Sequence, residues 1–164
     1  MIIGLFDVIL TDEQLPVLTQ TNEFLLREEV TISRPDILVD LLNQLFCLKY
    51  RAEEYVYMLA VNTAMKPIGF FEISHGSVNA SLLCSREVFL RLLLCGASGM
   101  ILVHNHPSGS VEASKEDFVV FRKFVKASEL MGIEFHDFII IGIAMLILYV
   151  VILFLIFGVY VPIW

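Results

Sequence analysis

Apolar and polar positions change period several times along this chain, and each change predicts an element. Ser33-Arg34-Pro35-Asp36 precedes Ile37, Leu38, Leu41, Leu42 and Leu45, so a capping serine, an early proline and apolar residues at helical spacing predict a first helix. Residues 54–62 (EYVYMLAVN) are rich in strand formers; the turn Thr63-Ala64-Met65-Lys66-Pro67 and the run 68–74 (IGFFEIS) follow, which together predict a hairpin. Glu72 falls near the end of its second strand, across the pleat from Phe71 and Ile73. Ser85 opens a pattern through Glu87, Val88, Leu90, Leu92 and Leu94 that stops at Gly96, a second helix. The apolar run 100–103 leads into His104. Residues 114–131 predict a third helix capped by Ser114, with Phe118, Phe121, Val125 and Leu130 on its buried side and Gly132 past its end. Residues 138–141 predict a further buried strand. The first 32 residues mix Leu and Val with Thr, Gln and Glu without a clean period, and read as a lead-in with helical character over 13–27.

Strands and helices that do not strictly alternate predict an α/β or α+β domain on one sheet, spanning residues 33–142. At 164 residues the chain has room for one such domain. Residues 143–164 form an apolar tail without a charged residue, long enough as a helix (about 33 Å) to cross a bilayer core. Two readings stay open for it. Tyr160 and Trp164 near its far end suit a membrane anchor, while its β-branched content suits an aberrant terminal strand of the sheet.

The formal charge of −7 limits the partners. Lys49 and Arg51, and Lys115, Arg122, Lys123 and Lys126, are interleaved with Glu53, Glu54, Glu112, Glu116 and Asp117, the pattern of a solvated mixed face. Direct nucleic-acid binding is therefore not expected without a partner. Cys47, Cys84 and Cys95 are irregularly spaced, which argues against a disulfide framework and a cysteine-rich zinc knuckle and fits a reducing cytoplasm. The N-terminus lacks the basic region of a secretory signal, and Asp7 interrupts its apolar stretch.

The chemistry concentrates in residues 104–117, HNHPSGSVEASKED. His104 and His106 lie at a strand end, where residues two apart point to the same side and can meet one ion. Pro107 and Gly109 let the following loop turn sharply and bring a helix start back, so that Asp117 supplies a third ligand. Zinc accepts imidazole nitrogen and carboxylate oxygen, and a catalytic site keeps its fourth position for water. Alternatively, Ser114-x-x-Asp117 is a capping box variant serving only the helix. A His-x-His-Pro turn, however, has no structural need for two imidazoles.

His104-x-His106-Pro107, six residues and then Ser114-x-x-Asp117 resemble the JAMM motif of JAB/MPN metalloproteases. HNHPSG at 104–109 and GIEFHDFIIIG at 132–142 further resemble the bacterial RadC family, often labelled DNA repair proteins, with similarity running over residues 36–142. The resemblance implies a JAB/MPN-type, cytidine-deaminase-like fold, a central mixed sheet flanked by helices, with Zn2+ on His104, His106 and Asp117. It also implies an upstream strand glutamate as general acid and base, a position that aligns with Glu72, and Ser114 as a hydrogen-bond donor to the oxyanion. An exposed strand position is the alternative reading of Glu72, and Glu53 and Glu54, at the start of the preceding strand, are the competing carboxylates.

The implied function is zinc-dependent hydrolysis of peptide or isopeptide bonds in a peptide or protein substrate. The alternative is a non-catalytic metal-binding module acting in DNA repair or mobile-element maintenance. Three features depart from the family pattern. No helix-hairpin-helix region is visible, Asp137 is followed by Phe138 with the histidine displaced to His136, and the apolar tail stands where a polar turn and strand belong. The expected location is cytoplasmic, with membrane association through 143–164 as the alternative.

Overall fold

The structure is a computed structural model that describes residues 1–76 and 83–142, together with the backbone of residues 148–149. In chain order the elements are β1 (Ile2–Leu10), β2 (Pro16–Leu25), α1 (Pro35–Phe46), a short 3-10 turn (Leu48–Tyr50), β3 (Glu54–Val61), β4 (Pro67–Gly76), α2 (Ser85–Cys95), β5 (Gly99–Asn105), α3 (Lys115–Met131), β6 (Glu134–Ile141) and β7 (Leu148–Tyr149). The strands form one sheet in the order β2-β1-β4-β3-β5-β6-β7. β1 lies parallel to β4 and β5 parallel to β6, while the remaining neighbours are antiparallel.

Alternation along the central strands sorts side chains into two cores. Tyr57, Leu59, Val61, Ile101, Val103, Ile139 and Ile141 face α1, where they meet Leu38, Leu42 and Phe46. Val56, Met58, Ala60, Met100, Leu102 and Phe138 face α2 and α3, where they meet Val88, Phe89, Leu92, Val120 and Phe124. With helices on both faces, β5 is buried at every position, which is why its sequence is an apolar run rather than an alternation. The expected hairpin of β3 and β4 is present, and so are the three helices.

The first residues differ from the expectation. Instead of a lead-in with helical character, β1 and β2 form an antiparallel hairpin that widens the same sheet, with Gly4, Leu5 and Phe6 opposite Gly69, Phe70 and Phe71 of β4. Two causes hide it from the sequence. β2 is an edge strand, mostly solvated on both sides, so its Thr, Gln, Asn and Glu positions show no period of two. The ring of Phe6 lies across Gly4 and Gly69, each of which would collide with it if it carried a Cβ, and this packing partner is 63 residues away in the chain.

The caps and faces also shift slightly. Pro35 opens α1 as expected, but the cap residue is Arg34 rather than Ser33, and α2 is capped by Cys84 rather than Ser85, neither with a side-chain hydrogen bond. On α3 the deepest side chains are Val120, Phe124 and Ser128. Phe121 and Val125 pack at the margin of the core, and Leu130 is 89% exposed, so the helix is rotated from the expected face. The four-residue spacing of Val120, Phe124 and Ser128 forms one ridge against the sheet, and Leu130 lies off that ridge. Within the apolar tail, Leu148 and Tyr149 pair with Ile140 and Ile139 of β6. The rest of 143–164, and with it the membrane-anchor expectation, lies outside the described residues. Among those described, no helix is long and apolar enough to cross a membrane.

One buried acid stands out in β6. Asp137 is 3% exposed; its Oδ1 accepts the Phe138 N–H at 2.8 Å, while Oδ2 has no hydrogen-bond partner among the described residues. Burial pushes its carboxyl up to about 6, against the opposing pull of the Phe138 N–H. A folded pKa above the unfolded one means that the folded state holds its proton longer, so this group's favourable contribution is present below pH ~4 and lost as pH rises through about 6. Between pH 4 and pH 7 the wild type should thus lose on the order of 1–3 kcal/mol of unfolding free energy relative to Asp137→Asn. Urea unfolding of both proteins at the two pH values checks this, and a pH-independent difference would contradict it.

Candidate metal centre

β5 delivers the first candidate ligand and the loop after it the second. His104 is 2% exposed, its ring stacked on Phe138 at 5.0 Å and met edge-on by His106 at 4.7 Å. The His106 N–H donates to the Ile141 carbonyl at 2.9 Å, which holds the end of β5 against β6 as the chain turns away. The turn through Pro107 closes with the Gly109 N–H donating to the His106 carbonyl at 2.9 Å, and Gly109 takes φ +81°, a left-handed conformation that favours glycine. This loop rests directly on the end of β6, where any side chain at Gly142 would strike the Gly109 carbonyl.

α3 brings the third candidate ligand. Ser114 caps the helix in a reciprocal box: its Oγ accepts the Asp117 N–H at 3.1 Å, while its own N–H and hydroxyl each donate to Asp117 Oδ2 at 2.7 Å. Asp117 Oδ1 lies 3.3 Å from His104 Nε2, and Oδ2 lies 3.6 Å from His106 Nε2. The capping and metal-ligand readings of this segment are therefore compatible, because the box that satisfies the helix start also fixes the carboxylate beside both imidazoles. One ligand atom from each of His104, His106 and Asp117 lies within 4.8 Å of the other two.

The electrostatics fit a cation. Burial drives the His104 imidazole down to about 4, against the pull of Asp117, so the ring is neutral near pH 7. The hydrogen bond with Asp117 raises His106 above its ordinary value, against burial. Burial pushes the Asp117 carboxyl up, but the His106 hydrogen bond, the charge of His104 and the two Ser114 donors outweigh it and hold the group near 2. His106 Nδ1 stands 3.0 Å from the Ser110 carbonyl, which makes Nδ1 the protonated nitrogen of the neutral ring and leaves the Nε2 lone pair directed at Asp117. Although His104 Nε2 is only 3.3 Å from Asp117, it is buried without a properly directed hydrogen bond. A buried polar nitrogen without a partner is costly, and two imidazole nitrogens plus a carboxylate are a common donor set for a catalytic zinc ion. The residues fit the metal.

These side chains line a pocket of about 370 Å³ whose walls also include Glu54, Ser108, Ser114 and Glu116, with apolar surface from Val56, Val120 and Phe138. Glu72 is not among them. Register decides this: Val56 of β3 pairs with His104 of β5, so His104 and Val56 share a face, whereas Glu72 of β4 pairs with Tyr57, the next residue, on the other face. There the Tyr57 hydroxyl donates to Glu72 Oε2 at 3.0 Å, and His75 Nδ1 lies 3.7 Å from Oε1. Glu53 falls on that far side as well, 3.1 Å from His75 Nε2. Glu54, two residues before Val56, shares the His104 face, and its charge contributes to raising His106. The expectation that Glu72 stands beside the metal ligands is thus corrected to Glu54. The missing signal was the pairing of β3 with β5, strands separated by 37 residues and invisible to local patterning.

Residues 32–148 match the RadC-like JAB domain family, and the chain belongs to it. A UPF0758 protein of Alkaliphilus metalliredigens is 41% identical over 111 residues, covering 68% of this chain and 47% of that protein. A UPF0758 protein of Caldanaerobacter subterraneus subsp. tengcongensis is 36% identical over 115 residues, 70% of this chain and 48% of that protein. In Methanosarcina acetivorans a UPF0758 protein is 49% identical over 70 residues, 43% of this chain and 31% of that protein. The chain spans about half the length, or less, of the curated relatives it matches. Ligands, pocket and Glu54 all fall inside the matched segment, whereas β1 and β2 precede it.

The shared carboxylate gives a direct test in the metal-free protein. Since Asp117 is the main cause that raises His106, Asp117→Asn should lower the His106 titration midpoint, leaving burial opposed only by the Ser110 carbonyl and the charge of Glu54. Histidine ring NMR across pH 4–9 reads this, and an unmoved midpoint would show that the two groups are not coupled.

Proposed function

We propose that this chain hydrolyses peptide or isopeptide bonds with zinc held by His104, His106 and Asp117, and that Glu54 is its general base. One observation carries the reading: a single pocket gathers an N, N, O ligand set, a carboxylate on the adjoining strand and a hydroxyl at a helix start. When bound, zinc would supply a Lewis acid and acidify a coordinated water toward a pKa of ~7. The chain's own residues do the rest.

Glu54 accepts a proton from the attacking water and returns it to the leaving amine, a service typically worth ~10²–10⁴ in rate. Ser114, whose hydroxyl donates to Asp117 in the resting protein, turns to the oxygen of the substrate carbonyl as charge develops there. Val56, Val120 and Phe138 give the pocket an apolar wall that seats substrate and sheds water. The neutral His104 ring presents a lone pair at neutral pH, and Asp117 remains an anion throughout the working range, so the site is ready for a cation without first losing protons from either.

Elemental analysis of purified protein should find one zinc per chain, with His104→Ala or His106→Ala losing most of it. Glu54→Gln should keep the metal and lower cleavage of a peptide and isopeptide panel by at least ~10²-fold, while Glu72→Gln stays within a few-fold of wild type. Full activity in Glu54→Gln would remove the assigned base, and stoichiometric zinc after loss of either histidine would remove the metal assignment.

A further inference from the structure

Between the two histidines lies Asn105, 1% exposed, whose side chain alternates with that of His104 along β5 and reaches the start of β3. Its carboxamide makes three hydrogen bonds, all to one short segment. Oδ1 accepts the Tyr55 N–H at 2.8 Å, and Nδ2 donates to the Glu53 carbonyl at 3.0 Å and to the Arg51 carbonyl at 3.4 Å. Glu54 sits between the first two of these contacts.

The ladder explains why a side chain is needed there. Backbone pairing of β3 with β5 ends at Val56 and His104, and β5 then stays with β6, Asn105 opposite Ile141. On the β4 side, Glu54 and Tyr55 still have Gly76 and His75 as neighbours. On the β5 side no further backbone rung exists, and the Asn105 carboxamide stands in for it. Its acceptor takes the N–H after Glu54, and its donors take the carbonyls before it. A primary amide on one methylene is the side chain that offers an acceptor and two donors at this reach; serine and threonine have one donor, and aspartate has none when ionised.

We infer that Asn105 is a positioning residue for Glu54: its carboxamide locks the start of β3 in register with the histidines, so that carboxylate and metal ligands face one another at a fixed separation. The role rests on the assignment of Glu54 as the base. Reaction rates are steep in such placement, since a shift of ~1 Å can cost ~10²-fold.

The test uses Asn105→Ala in the full chain and begins with a readout that needs neither metal nor activity. Amide hydrogen exchange at Tyr55 should speed up at least ~10-fold, with the amides of Met58 and Leu102 in the ladder unchanged. Zinc content should remain that of wild type, because His104, His106 and Asp117 are intact. On a cleaved substrate, kcat should fall ~10²-fold with KM within about threefold, and Asn105→Ala combined with Glu54→Gln should be no slower than Glu54→Gln alone. A purely structural residue would multiply the two losses instead. If Asn105→Ala does not fold, Asn105→Asp keeps the acceptor for Tyr55 and sets a carboxylate against two carbonyls; it should show the same kcat loss and the same lack of further effect on Glu54→Gln. Unchanged Tyr55 exchange in Asn105→Ala, or multiplicative loss in either double variant, overturns the inference. A wild-type protein that binds zinc and cleaves nothing would instead sink the hydrolase reading, and Tyr55 exchange would still decide whether the clamp exists.

Discussion

The antiparallel register of β3 against β5 is the constraint on which the candidate site depends. Val56 opposite His104 puts that face of β3 toward α3 and places Glu54, two residues earlier, over the histidines. A slip of one residue would exchange the faces, sending Glu54 toward α1 and Glu53 toward the ligands. Burial prevents the slip. Met58 and Ala60 fill the core under α2 and α3 while Tyr57, Leu59 and Val61 fill the core under α1, so a shifted register would disrupt two packed layers at once. Chemistry at the strand ends is therefore held by apolar packing along their middles.

Within that frame a single carboxylate organises the charges. Asp117 meets both imidazoles and accepts two hydrogen bonds from Ser114, so its charge is stabilised from several directions despite burial. His104 and His106 respond in opposite senses because burial against Phe138 dominates the first, whereas the hydrogen bond with Asp117 outweighs burial at the second. A divalent cation would suit such a group, since it would satisfy the His104 nitrogen that hydrogen bonding leaves aside. The helix start adds its own field, as the positive end of the α3 dipole favours the anionic form of Asp117.

The RadC-like JAB segment supplies the candidate ligands, the pocket and Glu54, and the hairpin of β1 and β2 enlarges the sheet from outside that segment. Its contact with β4 brings Phe6 over two glycines and against Phe71, which faces the α2 and α3 core. The hairpin thereby covers the β4 edge, on the flank away from β5, and leaves β2 as the outer strand.

What the sequence determined by itself is whatever is local. Apolar period specified the three helices, with the Ser114 cap marking the start of the third, the β3–β4 hairpin followed from strand formers around a turn, and the spacing of His104, His106 and Asp117 was enough to single out a group that could hold a metal ion because strand parity and a helix start are short-range properties. What only tertiary structure decided is whatever depends on which strands become neighbours. β1 lacked a readable period because its partners on β4, Gly69 and Phe71, lie far along the chain, and β2 because it is a largely solvated edge strand. The choice between Glu54 and Glu72 could not be made locally, because both precede the histidines on strands of the same hairpin. Their faces are assigned only when β5 pairs with β3, and the pairing free energy comes from burying both sides of β5, whose apolar run 100–103 carries no mark of which strand becomes its neighbour.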